Sequence, residues 1–198
     1  TTYRNGLYQL RDGKFTNYST HDGLASKAIG SICQFDEGRY LVGSINGKLN
    51  VIDSTKVWEL KTRFEMPKDR IYHLMRDSKK NIWICNYQGL YVIKANGEEV
   101  HFEKPAIQGN LIRHVFEDSK GRVWIGSRSS GVSIFDLEKG QMIKQFNTEN
   151  GLGANFVLSI KEDHKGRILV GCVNGGLSII ENDEVVKVLK IADGLSSD

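Results

Sequence analysis

Four carboxylates, Asp36, Asp77, Asp118 and Asp163, recur at one place in a repeated pattern along this 198-residue chain. A catalytic acid or base stands alone in a sequence, so fourfold repetition points to a structural role. Each carboxylate begins a short turn, where an Asp side chain accepts backbone N–H groups. The five histidines show no metal-ligand spacing. The three cysteines, Cys33, Cys85 and Cys172, lie far apart in apolar runs and read as buried free thiols. No paired acid and base, no nucleophile beside a base and no phosphate-cradling glycine loop is present. The sequence therefore predicts no enzyme, no metal and no cofactor. What remains is binding chemistry. Asn46, Asn86, Tyr87, Asn110, Arg128, Asn155 and Asn174 offer mixed donors and acceptors, one aromatic face and one guanidinium. That set suits sugar hydroxyls. Asparagine also serves turn geometry, whereas no turn demands Tyr87 or Arg128.

Internal repetition predicts the elements that position these residues. The run Val115 to Gly126 (VFEDSKGRVWIG) aligns residue by residue with Leu74 to Cys85 (LMRDSKKNIWIC) and with Ile160 to Gly171 (IKEDHKGRILVG). A fourth copy, Ile32 to Gly43, is one residue shorter before its turn. A second landmark, Asp22-Gly23-Leu24, Asn150-Gly151-Leu152 and Asp193-Gly194-Leu195, precedes the repeats at multiples of about 43 residues. That period, with short apolar runs and tight turns, predicts an all-β chain of β-propeller blades. In one repeat the strands read Ile112–Glu117, Arg122–Gly126, Gly131–Asp136 and Met142–Asn147, in the order A to D. Strands B and C are apolar on both faces, as in a sheet covered on both sides. Strand D alternates and suits an outer edge. The Asn, Tyr and Arg set falls on the B–C and D–A loops, which gather at one mouth of a propeller.

The predicted organisation is a single β-propeller segment over 1–198. Residues 1–20 form a partial blade, 21–65, 66–107, 108–148 and 149–190 form four whole ones, and 191–198 start the next. Each blade buries its faces only against neighbours. An open arc exposes two apolar sheet faces, so either further blades or a second copy, as a homodimer, should cover them. Seven blades at this period need about 300 residues, so a piece of a larger propeller is expected.

Composition narrows the partners. The chain has 27 basic and 24 acidic residues, a net charge of +3 and no basic block, which argues against nucleic acid. No run of about 18 apolar residues exists and Thr1 opens a polar segment, so neither membrane contact nor a signal peptide is expected here. With 21 glycines and 2 prolines the chain has the composition of many tight turns.

The stretch from Asp118 to Gly131, with its Asp-x-x-Gly turn, Trp124-Ile125-Gly126 and Gly131, resembles the two-component regulator propeller repeat. Asn150-Gly151-Leu152, followed by Asn155 and Ile160, resembles it too. The likeness extends over the whole chain, four times. It implies the periplasmic sensor region of membrane-bound hybrid histidine kinases that respond to oligosaccharides, with a small-molecule or oligosaccharide ligand. Two departures stand out. Tyr40 and Leu169 read as replacing the tryptophan, and Cys85 replaces the glycine. A protein-interaction scaffold and a propeller lyase or glycosidase-type enzyme are the alternatives. The turn differs from the Asp-box of sialidase-type propellers, because here the Asp precedes the Gly by three positions rather than two.

Overall fold

The structure is a computed structural model that describes residues 5–107 and 111–197. Strands β1 (Leu7–Arg11) and β2 (Lys14–Tyr18) form a two-stranded antiparallel sheet. Four four-stranded sheets follow. The first holds β3 (Ile29–Asp36), β4 (Arg39–Ser44), β5 (Leu49–Ile52) and β6 (Val57–Glu59). The second holds β7 (His73–Arg76), β8 (Ile82–Cys85), β9 (Leu90–Ile93) and β10 (Glu99–Phe102). The third holds β11 (Ile112–Glu117), β12 (Val123–Ser127), β13 (Val132–Asp136) and β14 (Gln141–Phe146). The fourth holds β15 (Val157–Glu162), β16 (Ile168–Cys172), β17 (Gly176–Glu181) and β18 (Glu184–Leu189). In every sheet the strands lie side by side in chain order, the meander of a propeller blade. The chain divides into two compact units, Thr1–Tyr87 with Tyr91–His101 and Gln88–Leu90 with Phe102–Asp198.

Within each unit, the core lies between consecutive sheets. In the second unit Trp124, Ile134 and Phe146 pack against Val157, Ile160, Ile168, Val170 and Ile180. The Trp124 and Phe146 rings stack at 5.6 Å. In the first unit Leu41, Leu49 and Val51 meet Ile71, Leu74, Ile82, Ile84 and Tyr91. A further cluster of Leu7, Leu24, Ile29, Val42 and Ile52 joins the two-stranded sheet to its neighbour.

Strand pairing corrects one reading of the repeat. Trp83 lies opposite Met75, Trp124 opposite Phe116 and Leu169 opposite Lys161. The residue opposite Cys33 is Leu41, so Leu41 rather than Tyr40 takes the tryptophan position in the first blade. Leu41 is fully buried, whereas Tyr40 pairs with Gln34 and is exposed. The shorter turn moved the apparent alignment by one residue, and in a strand one residue is a change of face. The glycine that follows has a packing reason. A Cβ on Gly126 would meet Val157 at 2.6 Å, and one on Gly43 would meet Ile71 at 2.5 Å. The bare backbone at this spot admits an apolar residue at or just before the start of the next strand A.

The A–B turn needs a left-handed residue, supplied by Gly121 at φ 74° and Gly166 at φ 76°. In the second blade Lys80 holds φ 70° at the same place. A non-glycine residue there is strained. Lys80→Gly is expected to raise stability by roughly 0.5–1 kcal/mol, read from urea midpoints. Trp124→Ala, which empties the inter-sheet core, is expected to cost about 3–5 kcal/mol in the same assay.

Candidate ligand-binding loops

The repeated carboxylates are committed to the frame. Asp118 Oδ1 accepts the backbone N–H groups of Lys120 and Arg122 at 3.0 and 2.8 Å. Its Oδ2 accepts Arg122 Nε at 2.7 Å and the Trp124 indole N–H at 2.9 Å. Asp77 repeats the arrangement with the Asn81 backbone, the Asn81 amide and the Trp83 indole. Asp163 holds Arg167, and Asp36 holds Arg39. Burial acts to raise the Asp163 carboxyl, but Arg167 and the turn N–H groups outweigh it and hold it down at about 2. Asp118 is likewise lowered: burial opposes, and the Trp124 indole and Arg122 prevail. Carboxylates held ionised in this way are poor general acids. Cys85 and Cys172 are buried, while Cys33 is half-buried. Burial pushes the Cys33 thiol up to about 12, so it stays protonated and unreactive. Among the described residues, no three His, Cys, Asp or Glu side chains group as a metal site.

In the second unit, the loops are fixed by their own hydrogen bonds. Ser127 Oγ donates to Gly131 O at 3.3 Å and accepts the Ser130 N–H at 2.8 Å. The Arg128 N–H donates to Leu111 O at 3.1 Å, and the Gly131 N–H to Asn155 O at 2.9 Å. The next D–A loop, between β14 and β15, opens with a 3-10 turn, Thr148–Asn150, capped reciprocally by Asn147 and Asn150. Buried Ser178 on β17 accepts the Gly153 N–H at 3.0 Å and ties that loop to the sheet. The Asn155 side chain accepts the Thr148 N–H at 2.9 Å and donates to Thr148 Oγ1 at 3.3 Å, so it braces the loop. Asn174 is exposed with φ 54°, a turn conformation that asparagine tolerates.

Arg128 is exposed, and its guanidinium carbon lies 5.4 Å from the centre of the Phe156 ring. Arg113 on β11 approaches the same ring at 5.6 Å. Neither Arg113 nor Phe156 was among the residues singled out by motif and loop reading. Strand alternation carried the signal: Ile112 and Val157 are core, so the residues beside them present the other face.

In the first unit, the Asn46 amide donates to Ala25 O at 3.1 Å and its Oδ1 accepts the Lys48 N–H at 3.3 Å. Asn86 is wholly buried, and the adjacent Tyr87 is exposed. Asn50 on β5 accepts the Ala25 N–H and donates to Gly23 O, the counterpart of Ser178. Asn110 lies outside the described residues. The connection 60–72 between β6 and β7 is anchored by Phe64 against Tyr91 at 5.0 Å and by the Glu99 carboxylate, which accepts the Arg63 N–H at 2.6 Å. Beneath it runs a cleft of about 550 Å³ lined in part by Asn46, Lys48, Lys61, Phe64 and Lys68.

Sheets of this meander order, one to each repeat of about 43 residues, define a β-propeller protein. Residues 106–129 match the family model described as the two-component regulator propeller, so the chain carries that repeat. No curated protein matches the sequence. Among solved structures, the extracellular domain of the hybrid two-component system BT3049 of B. thetaiotaomicron superposes with a TM-score of 0.73 at 23% identity. The match covers 92% of this chain and 25% of that one. The extracellular domain of the one-component system BT4673 of the same organism gives 0.71 at 18% identity, covering 98% and 36%. Virginiamycin B lyase from Staphylococcus aureus gives 0.69 at 15%, covering 87% and 58%. The chain thus spans only part of each structure, and the likeness at these identities is one of fold. No helix among the described residues is long and apolar enough to cross a membrane.

The lowered carboxylates set a pH dependence. A group held below its unfolded value of 3.8 contributes stability above that value and loses it as the pH falls toward its folded value. The melting temperature is therefore expected to drop between about pH 4 and about pH 2. Asp163→Asn should lower it at neutral pH and flatten the acid limb, as followed by circular dichroism.

Proposed function

We propose that the chain is a ligand-sensing segment of an extracytoplasmic, periplasmic propeller, which binds a saccharide on its loops and signals to a downstream histidine kinase. The observation that carries this reading is the two-component regulator propeller repeat at residues 106–129. Two further points support it. The extracellular domains of BT3049 and BT4673 share the fold. The loops hold exposed Tyr87 and Arg128, the latter on a backbone already fixed by hydrogen bonds. Pre-ordered loops lose little entropy on binding. Signalling follows if the ligand binds one arrangement of the sensor more tightly than another, since only differential affinity moves such an equilibrium. The recurrent carboxylates are spent on turns, which favours binding over catalysis.

A second reading, a protein-interaction scaffold, is favoured by the two-stranded sheet. Leu10 is 61% and Phe15 71% exposed there, an apolar surface that a second copy or further blades would cover.

The test is a thermal-shift screen of the chain against oligosaccharides, since a ligand that binds only the native form raises its melting temperature. A shift is expected, reduced by Tyr87→Ala and by Arg128→Ala without loss of fold. A shift unchanged in both variants would remove these loops as the site. A chain that answers no glycan but self-associates in sedimentation would favour the scaffold.

A further inference from the structure

We propose that the cleft beneath the 60–72 connection is a binding site for a small organic anion, an aromatic body that carries one carboxylate. Its occupancy does not depend on the saccharide reading. The cleft lies where the sequence breaks a local rule. Three loops that follow a strand D fold into a 3-10 turn, at Thr20–Asp22, Thr148–Asn150 and Ile191–Asp193. Each turn ends on a glycine in the left-handed region, Gly23 at φ 105°, Gly151 at φ 100° and Gly194 at φ 102°. In the first two a buried leucine follows, Leu24 and Leu152. The Leu60 N–H bonds to Leu49 O, which sets Leu60 opposite the start of β5, as Phe146 lies opposite Val132 at the start of β13. Counted from there, Glu65 stands in the glycine's place and Met66 in the leucine's. A left-handed φ strains a glutamate, so no 3-10 turn forms and the chain runs on as an irregular strap.

The strap is fixed in place. Phe64 lies on Tyr91 at 5.0 Å, and the Glu99 carboxylate accepts the Arg63 and Phe64 N–H groups at 2.6 and 3.4 Å. Thr62 Oγ1 donates to Phe64 O at 2.9 Å. The walls therefore stand before a ligand arrives, and little ordering remains for binding to impose. The space of about 550 Å³ is that of a small-molecule pocket. Leu49, Leu60, Phe64 and Met66 give it apolar walls, which suit a flat apolar body. The Asn46 and Thr62 side chains are spent on their own loops, so a neutral sugar finds little there to bond. The charges decide the rest. Lys48 is tied to Glu59 at 2.5 Å. Lys61 and Lys68 line the same cleft and have no ion-pair partner among the described residues, and Glu65 is the remaining acid of the lining. Two ammonium groups against one carboxylate leave a single positive charge, which a monoanion balances. The flexible lysine stems can bring that charge to a carboxylate at the mouth.

Isothermal titration of the 198-residue chain with naphthoate, naphthamide and acetate tests this. Naphthoate, which has both body and charge, is expected to saturate one site and to bind more weakly as salt is raised. Naphthamide keeps the shape without the charge, and acetate keeps the charge without the body. Each should bind about tenfold more weakly or worse. Lys61→Gln and Lys68→Gln should each weaken naphthoate by roughly three- to tenfold. Glu65→Gln, which removes the opposing charge, should tighten it, a gain that loss of fold cannot mimic. All three side chains are exposed, so the melting curves should not move. Naphthoate and naphthamide binding alike, with no lysine substitution felt, overturns the site. Naphthoate binding that Tyr87→Ala or Arg128→Ala removes and the lysine variants leave intact also overturns it, and moves the anion to the other loops. Absence of naphthoate binding at millimolar concentration overturns it as well. The oligosaccharide screen reads separately from all of these, so the sensing reading stands or falls on its own.

Discussion

A tryptophan indole at the heart of an inter-sheet core cannot leave its N–H without a partner, because a buried unsatisfied donor is costly. In the third blade the partner is Asp118, and the same carboxylate closes the A–B turn and anchors Arg122. Arg122 lies over the Trp124 ring at 5.1 Å and reaches Asp183 in the fourth blade at 2.7 Å. One carboxylate thereby joins turn geometry, core packing and the alignment of two sheets. Ser119 adds a second tie, donating from its N–H and hydroxyl to Glu162, both at 2.7 Å. Where leucine replaces tryptophan, as at Leu169, the Asp163–Arg167 pair persists without the indole.

This frame leaves the opposite strand ends to the B–C and D–A loops. The polar loop residues divide into two groups by what they bond. Asn46, Asn155 and the buried Asn50 and Ser178 brace the loops, so those loops hold their shape without a ligand. Arg128 and Tyr87 are spent on no such bracing and stand exposed. A rigid frame carrying a few uncommitted side chains is the usual construction of a binding site.

The blades were legible because their period is written four times and each copy obeys the same alternation. The expected strand Ile112–Glu117 and its three successors fall within a residue or so of β11 to β14. The turn carboxylates were legible for the same reason. The first copy misled by one position, since a shortened turn hides the register until strands are paired, and Leu41 then replaces Tyr40. Asn86 looked like a loop donor, but its side chain is enclosed. Nothing in its neighbours along the chain distinguishes it from the exposed Tyr87 beside it.

Sequence alone determined the repeat, the strands, the turns and the carboxylates that begin them. Those are local matters of side-chain period and backbone φ, readable over a few residues. Only the tertiary structure brought Arg113, Arg128 and Phe156 together, because they come from three segments spread over 44 positions. Their meeting depends on how two sheets stack, and stacking is set by complementary packing across the interface rather than by any one strand.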